Sequence, residues 1–418
     1  MDETEFLRAT CASAFQAGLD AADPVAAVRR ALESGTLPEP GRGGGLYLAA
    51  IGKAAIGMAS AAMTVLSPAR ALVVTNRENA AQVPGAEVMV AAHPEPDAQG
   101  AEAARALEVM AGTLGAEDVL LVLVSGGASA MLPAPRAGLT LDDEIAVNRL
   151  LLASGADITQ TNIVRQALSR LKGGGLTRAA APARVVALIL SDVVGDDPRV
   201  VASGPTAPAI ADGAVARGLL RALDLWPHLP EAVRNTLLNA PDTAHMPTVQ
   251  ADNRVIGGNA ASVAAMAAAT PGARAHGAPL MGDVADATRV VLSYFDEFEG
   301  VVLFGGETTV RLRGQGRGGR NQELALRVAM EASGTGRSFA FLSAGSDGRD
   351  GCTDAAGGLV DHGTVARLKA AGGDARALLS DNDSNRALRL SGDLWVTGAT
   401  GTNVADLQVL ALGPREKG

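Results

Sequence analysis

Apolar residues in this chain gather into short continuous runs and seldom alternate with polar ones. Leu46–Ile51, Ala71–Thr75, Val88–Ala92, Val119–Val124, Val185–Leu190, Val301–Phe304, Ser338–Ser343 and Leu407–Leu412 each read as a strand buried on both faces, with shorter strands at Arg254–Ile256 and Leu394–Thr397. Strands of this kind belong to parallel sheets covered by helices on both sides. Helical stretches intervene at Glu3–Gly18, Asp23–Ser34, Ala98–Leu114, Leu141–Ala153, Asp157–Leu171 and Asn259–Ala269. Pro24 behind Asp23 predicts a first-turn proline after an N-cap. The glycines of Lys172-Gly-Gly-Gly175 predict a C-cap for the helix before them. Six strands run straight into glycine-rich or acidic loops: Ile51-Gly-Lys53, Val124-Ser-Gly-Gly127, Leu190-Ser-Asp192, Phe304-Gly-Gly-Glu307, Ser343-Ala-Gly-Ser-Asp347 and Thr397-Gly-Ala-Thr-Gly401. Ligands of open α/β sheets bind outside the carboxyl ends of the strands. The pattern therefore predicts two α/β domains with a site in the cleft between them. Apolar content drops over Asn239–Asp252, around Pro241 and Pro247, and sets the expected boundary between 1–245 and 246–418.

The chain has 418 residues, 47% apolar and 19% charged, an ordinary globular balance with room for a large core. Aromatic residues are only 3% and glycines number 50, so the core is built from Ala, Val and Leu, and base-stacking platforms are scarce. A net charge of −9 argues against non-specific binding to nucleic acid or to an anionic membrane. Cys11 and Cys352 form no disulfide framework and no zinc spacing. The acidic N-terminus has no signal-peptide pattern, and no apolar run approaches the ~18 residues of a membrane span. These features predict a soluble, cytoplasmic protein.

Candidate chemistry lies in the loops. Gly305–Glu323 packs glycines among Arg311, Arg313, Arg317 and Arg320, and Asn321 opens a helical composition. Glycine lets backbone N–H groups turn toward an anion, arginine supplies a planar charged fork, and a helix N-terminus adds its amides. The stretch reads as a seat for a polyphosphate, or else as a hairpin with solvated arginines. Lys53, one residue beyond a strand, could bridge phosphate oxygens or orient a substrate. Ser125, Gly126, Gly127, Ala128 and Ser129 could hold a carboxylate or phosphate through amides and hydroxyls. The stretch is neither a P-loop nor a hydrolase elbow. Asp192, Glu307 and Asp347 are carboxylates in strand-exit loops, of the kind Mg²⁺ uses together with phosphate oxygens. Thr400, Gly401, Thr402 and Asn403 suit phosphate or ribose contact, or form a turn before a capped helix. The five histidines include no H-x-x-x-H pair, and His93, between a strand and Pro94, reads as a structural loop histidine or else as the one candidate among them.

Jointly these residues resemble a known family. Ile51-Gly-Lys-Ala-Ala55, Ser125–Ala130, Leu171–Leu176, Leu190–Asp196 and Ser203–Thr206 are similar to the N-terminal domain of the glycerate 2-kinases. Gly305–Val310, Gly318–Glu323, Ala344–Gly351 and Thr400–Val404 are similar to that family's C-terminal MOFRL domain. The resemblance implies a Rossmann-like first domain and a second α/β domain, with the site between them. It implies ATP- and Mg²⁺-dependent phosphorylation of D-glycerate to 2-phosphoglycerate, with no nucleic-acid or membrane partner and room for a homodimer. The family's catalytic lysine and arginine fall on Lys53 and Arg320. Gly305, Gly306, Glu307, Gly318, Gly319 and Asn321, with the Thr400–Asn403 loop, fall to the nucleotide. Ala128 replaces a glycine and Ala399 a proline found in many members, which predicts shifted affinity. Two rival readings are an NAD(P)H-dependent hydroxypyruvate reductase, disfavoured by the lack of G-x-G-x-x-G, and a non-catalytic sugar-phosphate-binding regulator.

Overall fold

The structure, a computed structural model, describes residues 2–35, 37–239, 250–296 and 298–414. Two compact units emerge, one of Pro24–Ile256 and one of Met1–Asp23 with Gly257–Gly418. The expected boundary at 245/246, with Pro241, His245 and Pro247, lies outside the described residues. The division by packing falls instead at 23/24 and 256/257.

In the Pro24–Ile256 unit, strands β1 (Leu46–Ile51), β2 (Arg70–Asn76), β3 (Glu87–Ala91), β4 (Val119–Val124), β5 (Arg184–Leu190) and β6 (Asp252–Gly257) form one sheet in the order β3-β2-β1-β4-β5-β6. The pairs from β3 through β5 are parallel. This is the doubly wound Rossmann order, whose direction of winding reverses between β1 and β4. The run Val119–Val124 is fully buried because both faces are covered. Leu120, Val122 and Val124 pack with Ala103, Leu107 and Met110 of the helix Ala98–Gly112. Helices Leu141–Ser154, Ile158–Leu168, Gly213–Ala222 and Glu231–Leu238 bury a separate cluster of Val147, Leu151, Val164, Leu220 and Val233.

The helix Ile158–Leu168 starts at a capping box of Asp157 and Gln160 and stops three residues earlier than the sequence suggests. Lys172-Gly-Gly-Gly175 is therefore not its C-cap. Ser169 is extended, and the glycines form their own turn into the helix Gly175–Ala180. Gly173 and Gly174 have φ of 56° and 76°, and a Cβ on Gly175 would lie 1.8 Å from the Arg170 carbonyl oxygen.

In the other unit, β7 (Arg274–Ala275), β8 (Leu280–Asp283), β9 (Gly300–Thr309), β10 (Phe339–Gly345), β11 (Gly357–Asp361), β12 (Leu394–Trp395) and β13 (Asp406–Leu412) form a second sheet. It is mixed, where continuous apolar runs suggested a parallel one. The pairs β9–β13, β13–β10, β10–β11 and β11–β12 are antiparallel, and β7 and β8 run parallel to β9. Helices cover both faces here too, and burial on both faces does not encode strand direction. Val302, Phe304 and Leu410 meet the helices Val284–Leu292 and Arg320–Ala332, and Leu303, Leu407 and Val409 meet Glu3–Ala21 and Asn259–Ala269.

The N-terminal helix thus belongs to this second sheet. Leu7, Cys11, Phe15 and Leu19 are buried in the same cluster as Leu342 and Leu407. Thr402 Oγ1 donates to the Ala22 carbonyl at 2.6 Å. Arg8 pairs with the buried Asp361 and Asp393. Among the described residues, no helix is long and apolar enough to cross a membrane.

Candidate active site

In the Rossmann-like unit, the candidate residues collect at the switch point between β1 and β4. Gly52 leaves β1 with φ of 121°, where a Cβ would lie 2.4 Å from the Ser125 carbonyl oxygen, so only glycine passes. The Lys53 amide then donates to the Gly126 carbonyl at 2.9 Å. The glycines after β4 are close approaches as well. A Cβ on Gly126 would lie 2.1 Å from Asp192 Oδ2, and one on Gly127 would lie 3.2 Å from Lys53 Cγ and 3.1 Å from His93 Cδ2. Lys53, His93, Gly127 and Asp192 are thereby neighbours. Asp192 keeps some surface exposure, but the dense shell around its carboxyl is what counts for ionisation. Burial pushes the carboxyl above the usual aspartate range, against its own backbone N–H and the Lys53 charge, which pull it down.

A cavity of about 390 Å³ opens beside this turn. Gly127, Ser129, Asp192 and His93 line it, as do Asn162 and Arg165 from the helix Ile158–Leu168. Of the five-residue stretch expected to bind substrate, only Gly127 and Ser129 reach the cavity. Ser125 and Ala128 are buried, and Ser125 Oγ is occupied, accepting from the Ala54 amide at 3.0 Å and donating to the Ile51 carbonyl. Ser125 holds β1 to β4.

In the other unit, the antiparallel register brings the carboxyl ends of β9 and β10 to the start of β13. Asp406 stands opposite both Gly306 and Gly345. Arg320 reaches it with Nε at 2.7 Å and Nη2 at 2.9 Å, and pairs with Glu307 at 3.1 Å. Asp406 is 0% exposed, against 33% for Arg320 and 45% for Glu307, so the pair opens to solvent on one side. Burial opposes the Arg320 charge, but Asp406, Glu307 and Asp350 outweigh it and drive its ionisation upward. A Cβ on Gly345 would lie 3.5 Å from Asp347 Oδ1 and 3.7 Å from Asp406 Oδ1, so these two carboxylates share one neighbourhood. Ser346 ties the adjacent loops together, its carbonyl accepting from Thr400 Oγ1 and its Oγ from the Val404 amide.

The glycine-rich loop behaves unlike a polyphosphate seat. Its amides are already taken by Asp381–Asp383. Arg313 and Gly314 donate to Asn382 Oδ1, Gln315 to Asp381 Oδ1, Gly316 to the Asp381 carbonyl, and Arg317 to Asp383 Oδ1. Gly318 lies against Ser384 Oγ. The expected helix N-terminus is likewise filled from within. Asp350 accepts from the Asn321 and Gln322 amides at 3.1 and 2.8 Å, and a Cβ on Gly319 would strike its carboxyl. Burial first, then the Asp406 charge, pushes Asp350 up to about 6 despite these donors. Asn321 is buried, donating to Asp350 and accepting from Ser343 Oγ at 2.7 Å. Gly305 and Gly306 are packed within β9, against Asn259 and the β8 backbone. The buried Thr402 serves the N-terminal helix. Of the expected nucleotide set, Glu307, Gly318, Thr400, Gly401 and Asn403 keep exposed or half-exposed surface.

Sequence reasoning missed Asp406, Asn162 and Arg165, and grouped Asp350 with the loop carboxylates that could meet Mg²⁺, where the structure has it capping a helix. Asp350 and Asp406 sit in stretches quoted or bordered by the motifs. Asn162 and Arg165 are single polar positions on an amphipathic helix and gave no local signal.

Residues 10–238 match a family described as a domain of unknown function, DUF4147, and residues 300–406 match the MOFRL family. A glycerate kinase of Bos taurus is 37% identical, over 88% of this chain and 85% of its own length. A D-glycerate 2-kinase of Thermotoga maritima is 37% identical over 87% of this chain and 89% of its own. A protein of Agrobacterium vitis with a provisional hydroxypyruvate reductase name is 38% identical over 96% and 93%. A crystal structure of a Thermotoga maritima glycerate kinase superposes with a TM-score of 0.88 at 34% identity, covering 98% of this chain and 100% of that one.

Proposed function

The chain belongs to the glycerate kinase family that joins DUF4147 to MOFRL, and from that premise we propose that it is a glycerate 2-kinase. The 2-hydroxyl oxygen of D-glycerate attacks the γ-phosphorus of ATP, the bond from that phosphorus to the β,γ-bridging oxygen breaks, and 2-phosphoglycerate and ADP result. The observation that carries this reading is the meeting of Lys53, Gly127 and Asp192 at the switch point of a Rossmann-order sheet, beside a cavity of about 390 Å³.

Phosphoryl transfer is served by alignment and charge neutralisation. Lys53 orients the 2-hydroxyl and offsets charge on the transferring group. Asp192 takes the hydroxyl proton, a role that a carboxyl pushed upward by burial fills better than metal ligation. In the MOFRL unit, Arg320 is the candidate cation for phosphate oxygens, its Nε and Nη2 held by Asp406 and Nη2 also by Glu307. Thr400, Gly401 and Asn403 contact the nucleotide. Among the described residues no three His, Cys, Asp or Glu side chains are grouped to hold a metal ion, and both Asp406 oxygens are bonded to Arg320, so Asp192, Glu307 and Asp347 do not form the expected Mg²⁺ site. The protein's own groups position, neutralise and accept the proton.

The nicotinamide reading loses support at the first strand–helix turn. Gly52-Lys53-Ala54-Ala55-Ile56-Gly57 lacks the glycine spacing that lets a pyrophosphate approach. Two assays test the proposal: ATP, Mg²⁺ and D-glycerate with phosphorus NMR of the product, beside NADH with hydroxypyruvate. A 2-phosphate ester in the first and no NADH oxidation in the second is the expected outcome. Lys53→Ala is expected to lower kcat by on the order of 10²–10³. A variant with near-normal kcat removes Lys53 from the mechanism.

A further inference from the structure

The hydroxyls at the glycine turn have no proton to give an anionic substrate. Asn162 Nδ2 faces the Val200 carbonyl at 3.2 Å, and a carbonyl only accepts, which fixes the orientation of the Asn162 amide. Asn162 Oδ1 is therefore the acceptor for Ser203 Oγ, at 2.6 Å. With its proton committed there, Ser203 accepts in its 2.7 Å contact with Ser129, and Ser129 is the donor. Ser129 is left with lone pairs toward the cavity, and Ser125 is committed to main-chain partners. Lone pairs repel a carboxylate and suit a substrate hydroxyl.

One cation on the cavity wall has the complementary geometry. Arg165 lines the cavity, and its Nε donates to Asn148 Oδ1 at 2.7 Å, which sets the plane of the guanidinium. The two terminal nitrogens lie outside that bond. Glu144, the carboxylate whose charge it feels, is bonded to Lys172 at 2.7 Å. The other arginine of the cavity, Arg149, is ion-paired with Glu95 at an exposed position. Burial disfavours the charged form of Arg165 more than Glu144 supports it, so an incoming anion would offset that cost.

We propose that Arg165 is the carboxylate receptor of the substrate, its terminal nitrogens gripping a 2-hydroxy acid while Ser129 accepts from a substrate hydroxyl. This assignment rests on the kinase reading above and moves the carboxylate from the Ser125–Ser129 amides to the helix Ile158–Leu168. A planar fork holds a carboxylate by two parallel charge-assisted bonds, which also fixes the rotation of the acid.

The test compares D-glycerate with D-glyceramide, its neutral amide, in wild type and Arg165→Gln. Arg165→Gln is expected to raise KM for D-glycerate on the order of 10²-fold while KM for ATP holds and kcat/KM for D-glyceramide falls on the order of tenfold less than that for D-glycerate. Arg165→Lys is expected to recover part of the loss. Equal losses on both substrates, or no loss on either, overturn the assignment. Thermal unfolding of each variant identifies a fold defect, and in that case Arg165→Lys alone decides by the same charge-selective comparison. Calorimetric titration of D-glycerate separates this proposal from the kinase reading. Binding that disappears in Arg165→Gln, without turnover in wild type, supports Arg165 and removes the kinase reading. Unchanged binding in the variant, or none in wild type, removes Arg165.

Discussion

Hydrogen-bond direction and burial sort the candidate side chains more sharply than residue type does. Ser125 and Ser129 look alike in sequence, yet one is a buried staple between strands and the other borders a cavity. Asp192 and Asp350 are both loop aspartates with raised carboxyls, and their consequences differ. A base must be ionised to act, so activity should fall as pH drops through an Asp192 pKa above the ordinary aspartate value of 3.8. Asp192→Asn is expected to lower kcat by about 10²–10⁴ and erase that acid limb, as pH–rate profiles of both proteins would reveal. Asp350 touches only the helix N-terminus and belongs to stability. Its folded pKa of about 6 exceeds the unfolded 3.8, so the folded state binds more protons between these values. Stability from this group is therefore full below about pH 4 and declines as pH rises through 6. Relative to Asp350→Asn, the wild type should gain on the order of 3 kcal/mol between pH 7 and pH 4, measurable by urea unfolding across that range. At this scale the sequence placed Lys53 and Asp192 just beyond strands, as the structure has them, whereas Arg320 opens a helix. It missed Arg165, because a cation on a helix face looks the same whether it faces solvent or a cavity.

Among the elements, the glycine-rich loop 310–319 departs furthest from its sequence reading. Its composition is that of an anion cradle, and the structure satisfies it with Asp381, Asn382 and Asp383 of the same chain. Composition announces that amides need acceptors and does not say whose. Asn382 holds two loop amides and sits at φ of 56°, a conformation asparagine tolerates. Asn382→Ala loses both advantages and is expected to cost about 1–3 kcal/mol, seen as a lower melting temperature. KM for ATP should change little. A large rise in KM with unchanged stability would return the loop to the nucleotide. The run Lys172-Gly-Gly-Gly175 teaches the same lesson, since its glycines serve a turn that begins a helix and cap nothing before it.

For the molecule as a whole, the N-terminal helix is the feature that chain order disguises. Its apolar stripe required burial but carried no address, and the address is the second sheet. Phe15 is 1% exposed in that core and stacks edge-on with Trp395. Phe15→Ala is expected to destabilise the unit formed with Gly257–Gly418 by about 3–5 kcal/mol, with hydrogen exchange rising first in β10 and β13. Protection lost first in β1 and β4 would assign the helix to the other sheet. By itself the sequence determined the positions of the buried strands, the glycine loops at their ends and the family likeness, because these depend on local composition and spacing. Tertiary structure alone decided strand direction in the second sheet, the partner of the first helix, which amides remain for a ligand and which side chains line the cavity. Each of these turns on contacts between residues far apart in the chain, and no window of sequence contains both partners.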